Sequence, residues 1–212
     1  MRRLLVSLLA MALAAVGPPD AGAAATRSKC QSLTGRDLAP ARHVKLVERR
    51  NADDGADLVG CLLPRGPLTR IASSADFYTT VHGYAIRQIA GRVVLVATTS
   101  SSQYASSETL TVHDLRSRRS YTIAARCAMI GGDDCATGAS TTAAAAFVMR
   151  AGRAVALVFR AATATVSAFS SLGRSRPLDV AAPPDIPPES LRLTGNLAAW
   201  TNAGVARRAS IP

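Results

Sequence analysis

The chain has 212 residues, 25 of them Lys or Arg against 14 Asp or Glu, for a formal net charge of +11. Hydrophobic residues make up 48% of it and aromatic residues only 4%. That apolar content excludes a wholly disordered chain, and a domain of this length holds enough core not to depend on disulfides as its main source of stability.

Met1-Arg2-Arg3 is a basic start, followed by an apolar run from Leu4 to Val16 and then by small residues that include Ala21-Gly22-Ala23. This is the order of a secretory signal peptide, cleaved after Ala23 or Ala25. The apolar run is too short to span a bilayer, which takes about 20 residues in a helix. Residues 1–25 are therefore expected to be a leader, and 26–212 a single secreted all-β domain with no integral membrane span. In an oxidising compartment Cys30, Cys61, Cys127 and Cys135 are expected to form two disulfides. Three pairings are open. Cys127–Cys135 is the first choice, because Gly131 and Gly132 let the segment between them close, and it leaves Cys30 with Cys61.

After residue 40 the apolar runs are short, rich in Val, Ile and Thr, and bounded by Gly, Ser, Asn or Pro, which predicts strands nearly throughout. The expected strands are His43–Arg49, Asp57–Leu63, Leu68–Ala72, Gly83–Ile89, Arg92–Thr98, Thr109–Leu115, Ser120–Ala124, Ala145–Arg150, Arg153–Arg160, Thr163–Phe169, Pro177–Val180, Leu191–Thr194, Leu197–Thr201 and Ala206–Ile211. Val93 to Val96 and Val155 to Phe159 are apolar at successive positions, so they should be buried on both faces. Thr98–Ser107, Thr137–Ala146 and the proline-rich Val180–Glu189 read as loops.

Ala90-Gly91-Arg92-Val93-Val94-Leu95-Val96 recurs as Ala151-Gly152-Arg153-Ala154-Val155-Ala156-Leu157, and more loosely as Thr194-Gly195-Asn196-Leu197-Ala198-Ala199-Trp200. Each copy predicts a tight turn in which Gly takes positive φ and the next residue stays in solvent. The repeated Gly-Arg-x-Val, the run Leu110-Thr111-Val112-His113-Asp114-Leu115 and the stretch Ser190 to Gly204 resemble the degenerate WD40-like or TolB-like blades of exported bacterial β-propeller-type proteins. The resemblance implies antiparallel four-stranded repeats in a propeller-like array. About three and a half blades can be counted, an incomplete ring, with the strands from His43 to Ala72 as candidates to complete the blade left unfinished at the C-terminus. A β-sandwich is the alternative fold.

No stretch specifies a reaction. There is no HExxH, CxxC or GxSxG, so no metal, cofactor or nucleophile motif is assigned. His113 and Asp114 are neighbours on a strand and so point to opposite faces; Asp114 is expected to bond to the following turn instead. The acidic clusters Asp53-Asp54-Asp57 and Asp133-Asp134 read as turn residues. Basic pairs such as Arg49-Arg50, Arg118-Arg119 and Arg207-Arg208 could meet a polyanionic envelope polymer, or could guard strand edges. The scarcity of aromatic residues weighs against nucleic acid. The expected role is a secreted, non-catalytic binding or structural module of the cell envelope whose partner is a protein or polyanionic polymer. Recognition is expected on the loops bearing Ser100, Ser101, Ser102, Gln103, Tyr104, Asp133 and Asp134. The alternative is an extracytoplasmic hydrolase of envelope polymers or glycans.

Overall fold

The computed structural model describes residues 29–77, 80–129 and 140–211. Its strands, in chain order, are β1 (Arg36–Ala41), β2 (Val44–Arg50), β3 (Ala56–Leu62), β4 (Thr69–Phe77), β5 (Thr80–Ala90), β6 (Val93–Ser102), β7 (Ala105–Asp114), β8 (Arg119–Met129), β9 (Thr142–Val148), β10 (Ala154–Arg160), β11 (Thr163–Phe169), β12 (Ser175–Ala181), β13 (Arg192–Thr194), β14 (Leu197–Asn202) and β15 (Val205–Ser210). They form three antiparallel sheets: eight strands in the order β1 to β8, four from β9 to β12, and three from β13 to β15. The all-β expectation holds.

Each sheet is a meander, in which every strand neighbours the next in sequence. Short reversals, seven of them of only two residues within the sheets, make this the nearest available pairing. Gly91, Gly152 and Gly195 all have positive φ, as the repeat predicts. The residue after the glycine stays exposed in the third copy, at Asn196, as expected, but in the first two it is a partly buried arginine with a partner. Arg92 Nε donates to both oxygens of Asp114, at 3.0 and 3.2 Å, and Arg153 Nη1 donates to the carbonyl of Ile211 at 3.0 Å. A long guanidinium stem can lie along the sheet end and still reach an acceptor, which a solvated-turn reading ignores.

The eight-stranded sheet bends at β4. Residues from Thr69 to Ser74 pair with β3, whereas Ala75 to Phe77 pair with β5. The two halves thus fold over one another, and Val44, Leu46, Leu58 and Ile71 of the first half meet Val94 and Val96 of the second. On the other face of β5–β8, Val93, Leu95, Val112 and Ala124 pack against Val148, Ala154 and Ala156. The far face of β9–β12, with Val155, Leu157 and Val166, then packs against Ala198 and Trp200, joined by Ile186, Leu191 and Ile211. Strand period two explains this layering: adjacent residues of β6 and β10 serve different cores, so both strands are apolar at successive positions.

β1 was not expected. Its sequence Arg-Asp-Leu-Ala-Pro-Ala has neither β-branched residues nor clear alternation, and only pairing with β2 makes it a strand. The expected loop at Thr98–Ser107 is strand on both sides of a turn at Gln103 and Tyr104, with Ser101 opposite Ser106 and Ser100 opposite Ser107. The Ser102 hydroxyl stabilises that turn by accepting the N–H groups of Tyr104 and Ala105. Likewise Thr142 to Ala144, expected only in a loop, belong to β9 together with the start of the expected strand Ala145–Arg150. Their small side chains suit a strand squeezed between two sheets. The strands from His43 to Ala72 do not complete the C-terminal sheet, because β15 pairs with β14 alone among the described residues.

Candidate functional site

The strands β5 to β8 run 10 or 11 residues each, whereas β9 to β12 run 7. The longer sheet therefore projects beyond its neighbour, and the face carrying Leu95 becomes hydrophilic where apolar cover ends. A cleft of about 310 Å³ opens there, between this face and Thr141 to Ala146. Leu95, Leu110 and Ala124 form its floor, and Arg87, Glu108 and Arg126 its polar wall.

Strand geometry places these three charges. Ile86 pairs with Val96 and Gln88 with Leu95, which leaves Arg87 as the extra residue of a bulge. Such a bulge bends the strand and re-aims the side chain. Gln88 next to it accepts the backbone N–H of Val148 at 2.8 Å, tying β5 to β9 beside the cleft. Glu108 lies directly opposite Arg126 in the β7–β8 register, and Arg87 Nη2 stands 3.6 Å from Glu108 Oε1. Glu108 thus has Arg126 as its cross-strand neighbour and Arg87 as its ion-pair partner, and all three line the cleft. An adjoining groove shares Glu108 and Arg126 and continues outward along Thr99, Ser100, Ser101, Ser106 and Ser107. Of the expected recognition residues, Ser100 and Ser101 line this groove. Tyr104, at the hairpin turn, is among the exposed large side chains, while Asp133 and Asp134 lie outside the described residues.

His113 faces away from the cleft, on the side of β7 that carries its partner Val94. Burial pushes its imidazole down to about 4. As expected, Asp114 bonds to the following turn, accepting the N–H of Arg116 at 2.9 Å, and it also holds Arg92. The first acidic cluster is a built turn: Asn51 Oδ1 accepts the N–H groups of Asp53 and Gly55, Asp54 pairs with Arg50 at 2.8 Å, and Asp57 accepts the Ser73 hydroxyl and Arg70.

Cys30 and Cys61 are joined by a disulfide and lie with Leu33, Val47 and Val59 on the outer face of the first sheet. Cys127 is also disulfide-bonded; its expected partner Cys135 lies outside the described residues. No helix among the described residues is long and apolar enough to cross a membrane.

Arg87, Glu108 and Arg126 were not singled out in the sequence. One signal was available: Tyr84 and Ile86 keep period two, but the next large apolar residue is Ile89, and that slip of parity marks the bulge at Arg87. The cross-strand meeting of Glu108 and Arg126 has no local signature. No protein-family model and no curated protein matches the chain.

Proposed function

We propose that this is an exported, non-catalytic binding module of the cell envelope, whose cleft takes an anionic, hydroxyl-bearing polymer. We read β1–β4, β5–β8, β9–β12 and β13–β15 as successive blades of an open, propeller-like arc, in line with the resemblance to WD40-like and TolB-like repeats. The leader-like start and the oxidised cysteines support an extracytoplasmic setting. The observation that carries the reading is that Arg87 and Arg126 line, with Glu108, a cleft that continues into a hydroxyl-lined groove. A guanidinium offers a planar fork of donors suited to phosphate or carboxylate. Serine and threonine hydroxyls can donate to or accept from a polyol, and Glu108 can accept from a sugar hydroxyl. Glycan hydrolysis canonically uses two facing carboxylates; the residues lining this cleft include one, already engaged by Arg87, so binding is the better reading.

Titration calorimetry with a glycerol phosphate polymer, against a neutral glycan of similar length, tests this. The expected result is salt-sensitive binding of the anionic polymer alone, weakened at least about tenfold in an Arg87→Ala/Arg126→Ala variant. Equal binding of both polymers, or an unaffected double variant, would sink it.

A further inference from the structure

We infer that the free edge of β15 is a docking site for an extended, acidic segment of another polypeptide, which adds to the C-terminal sheet as a fourth strand. The register of the sheet shows which backbone groups are on offer. Ile211 N–H donates to the carbonyl of Asn196 at 2.8 Å, which continues the β14–β15 register one pair beyond Leu197 and Ser210. In an antiparallel pair such hydrogen-bonded positions alternate with positions whose backbone points away. Val205, Arg207 and Ala209 therefore bond to β14, whereas the N–H and C=O groups of Ala206, Arg208 and Ser210 face outward.

The other sheet edges among the described residues are blunted or covered. β1 carries Pro40 and a register shift, and β12 carries Pro177 and a register shift. The edge of β8 is occupied by the neighbouring chain: Ala125 N–H donates to the Thr141 hydroxyl, Cys127 N–H to the Ser140 hydroxyl, and Thr141 N–H to the Ala125 carbonyl. β9 gives its Val148 N–H to Gln88, and β13 has only 3 residues. β15, by contrast, is 6 residues long, free of proline and in regular register with β14. Its residues from Val205 to Arg208 are exposed. It also closes a sheet of three strands beside a sheet of four. Its guard is charge alone, Arg207 and Arg208, which repels a basic strand and leaves the backbone edge open to an acidic one.

Charge selects the occupant. Arg192, Ala199 and Arg208 lie in one row across the outer face of the sheet. Arg208 makes no ion pair among the described residues, so an added strand would meet an uncompensated guanidinium opposite its own side chain. Opposite charges facing each other across strands are favourable and like charges are not. A second copy pairing β15 with β15 about its middle would bring Arg207 and Arg208 of both chains together, so an acidic strand of a different polypeptide is favoured.

A fluorescein-labelled peptide of alternating valine and glutamate, with an otherwise identical lysine peptide as control, tests this on the full chain by fluorescence anisotropy. The expected result is binding of the glutamate peptide at least about tenfold tighter than the lysine peptide. Ala206→Pro deletes an outward donor without removing a bond to β14, and is expected to weaken binding at least about tenfold with an unchanged circular dichroism spectrum. Arg208→Glu, which touches no backbone group, is expected to reverse the peptide preference. The cleft variant Arg87→Ala/Arg126→Ala is expected to bind the peptide normally, which separates this site from the cleft. Indifference of binding to both β15 substitutions, absence of binding, or a dimer in sedimentation that Ala206→Pro abolishes would each overturn the inference.

Discussion

The segment β5–β8 and the sheet β13–β15 are built from the same kind of hairpin, opened by the same glycine-centred turn, yet they sit in different surroundings. The first is covered on both faces, so Val93 to Ala97 are all buried; the second is covered on one, so Ala198 and Trp200 are buried while Leu197 is 43% exposed. Its inner face is fixed by a polar latch as well as by packing. Asp179 of β12 accepts Trp200 Nε1 at 2.7 Å and Asn202 Nδ2 at 2.9 Å. Burial by itself would raise the Asp179 carboxyl, but these bonds, the Val180 N–H and the nearby Arg207 charge together hold it below the usual carboxylate range. The turns differ too. A side chain at Gly91 would meet Arg150, one at Gly152 would approach Asp114, and one at Gly195 would meet nothing. One local motif thus becomes a joint between sheets or a free end, depending only on what lies beside it.

Three measurements would break or sharpen that contrast. Leu95→Ala, which opens a cavity between two covered sheets, is expected to cost about 2–5 kcal/mol in urea denaturation; a loss within about 0.5 kcal/mol, the range of ordinary surface substitutions, would mean that this core is not close-packed. His113 gives a pH-dependent effect on the same interior segment. Its folded pKa lies below the unfolded value of about 6.5, so between those values the unfolded chain takes up a proton that the folded one refuses. Its contribution is complete above about pH 6.5 and declines as pH falls toward 4, by about 2–3 kcal/mol, from 1.36 kcal/mol per pKa unit. His113→Gln should flatten that part of the stability profile, and a profile of unchanged slope would refute the assignment. Leu197→Ala, on the open face, is expected to shift stability by no more than about 0.5 kcal/mol. A loss like that of Leu95 would show that something covers this face in solution.

Much of the strand pattern was legible because it is local. Val155 to Phe159 and Thr163 to Phe169 announce themselves by β-branched content and bounding turns, and β11 begins and ends where expected. Thr98 to Ser107 misled because hydroxyl-rich residues without apolar alternation look like loop, although a strand exposed on its hydrophilic side needs no apolar alternation to stay paired. The cleft was hidden for a different reason. Arg87, Glu108 and Arg126 lie on three different strands and meet only through register.

By itself the amino-acid order determined most of the apolar strands and the glycine turns between them, because φ preference, side-chain branching and period two act over a few residues. Tertiary structure alone decided that β4 would change partners, that the projecting end of β5–β8 would form a cleft, and that β15 would have no second strand beside it among the described residues. Those outcomes depend on differences in strand length and on contacts between residues far apart in the chain, which no short stretch encodes.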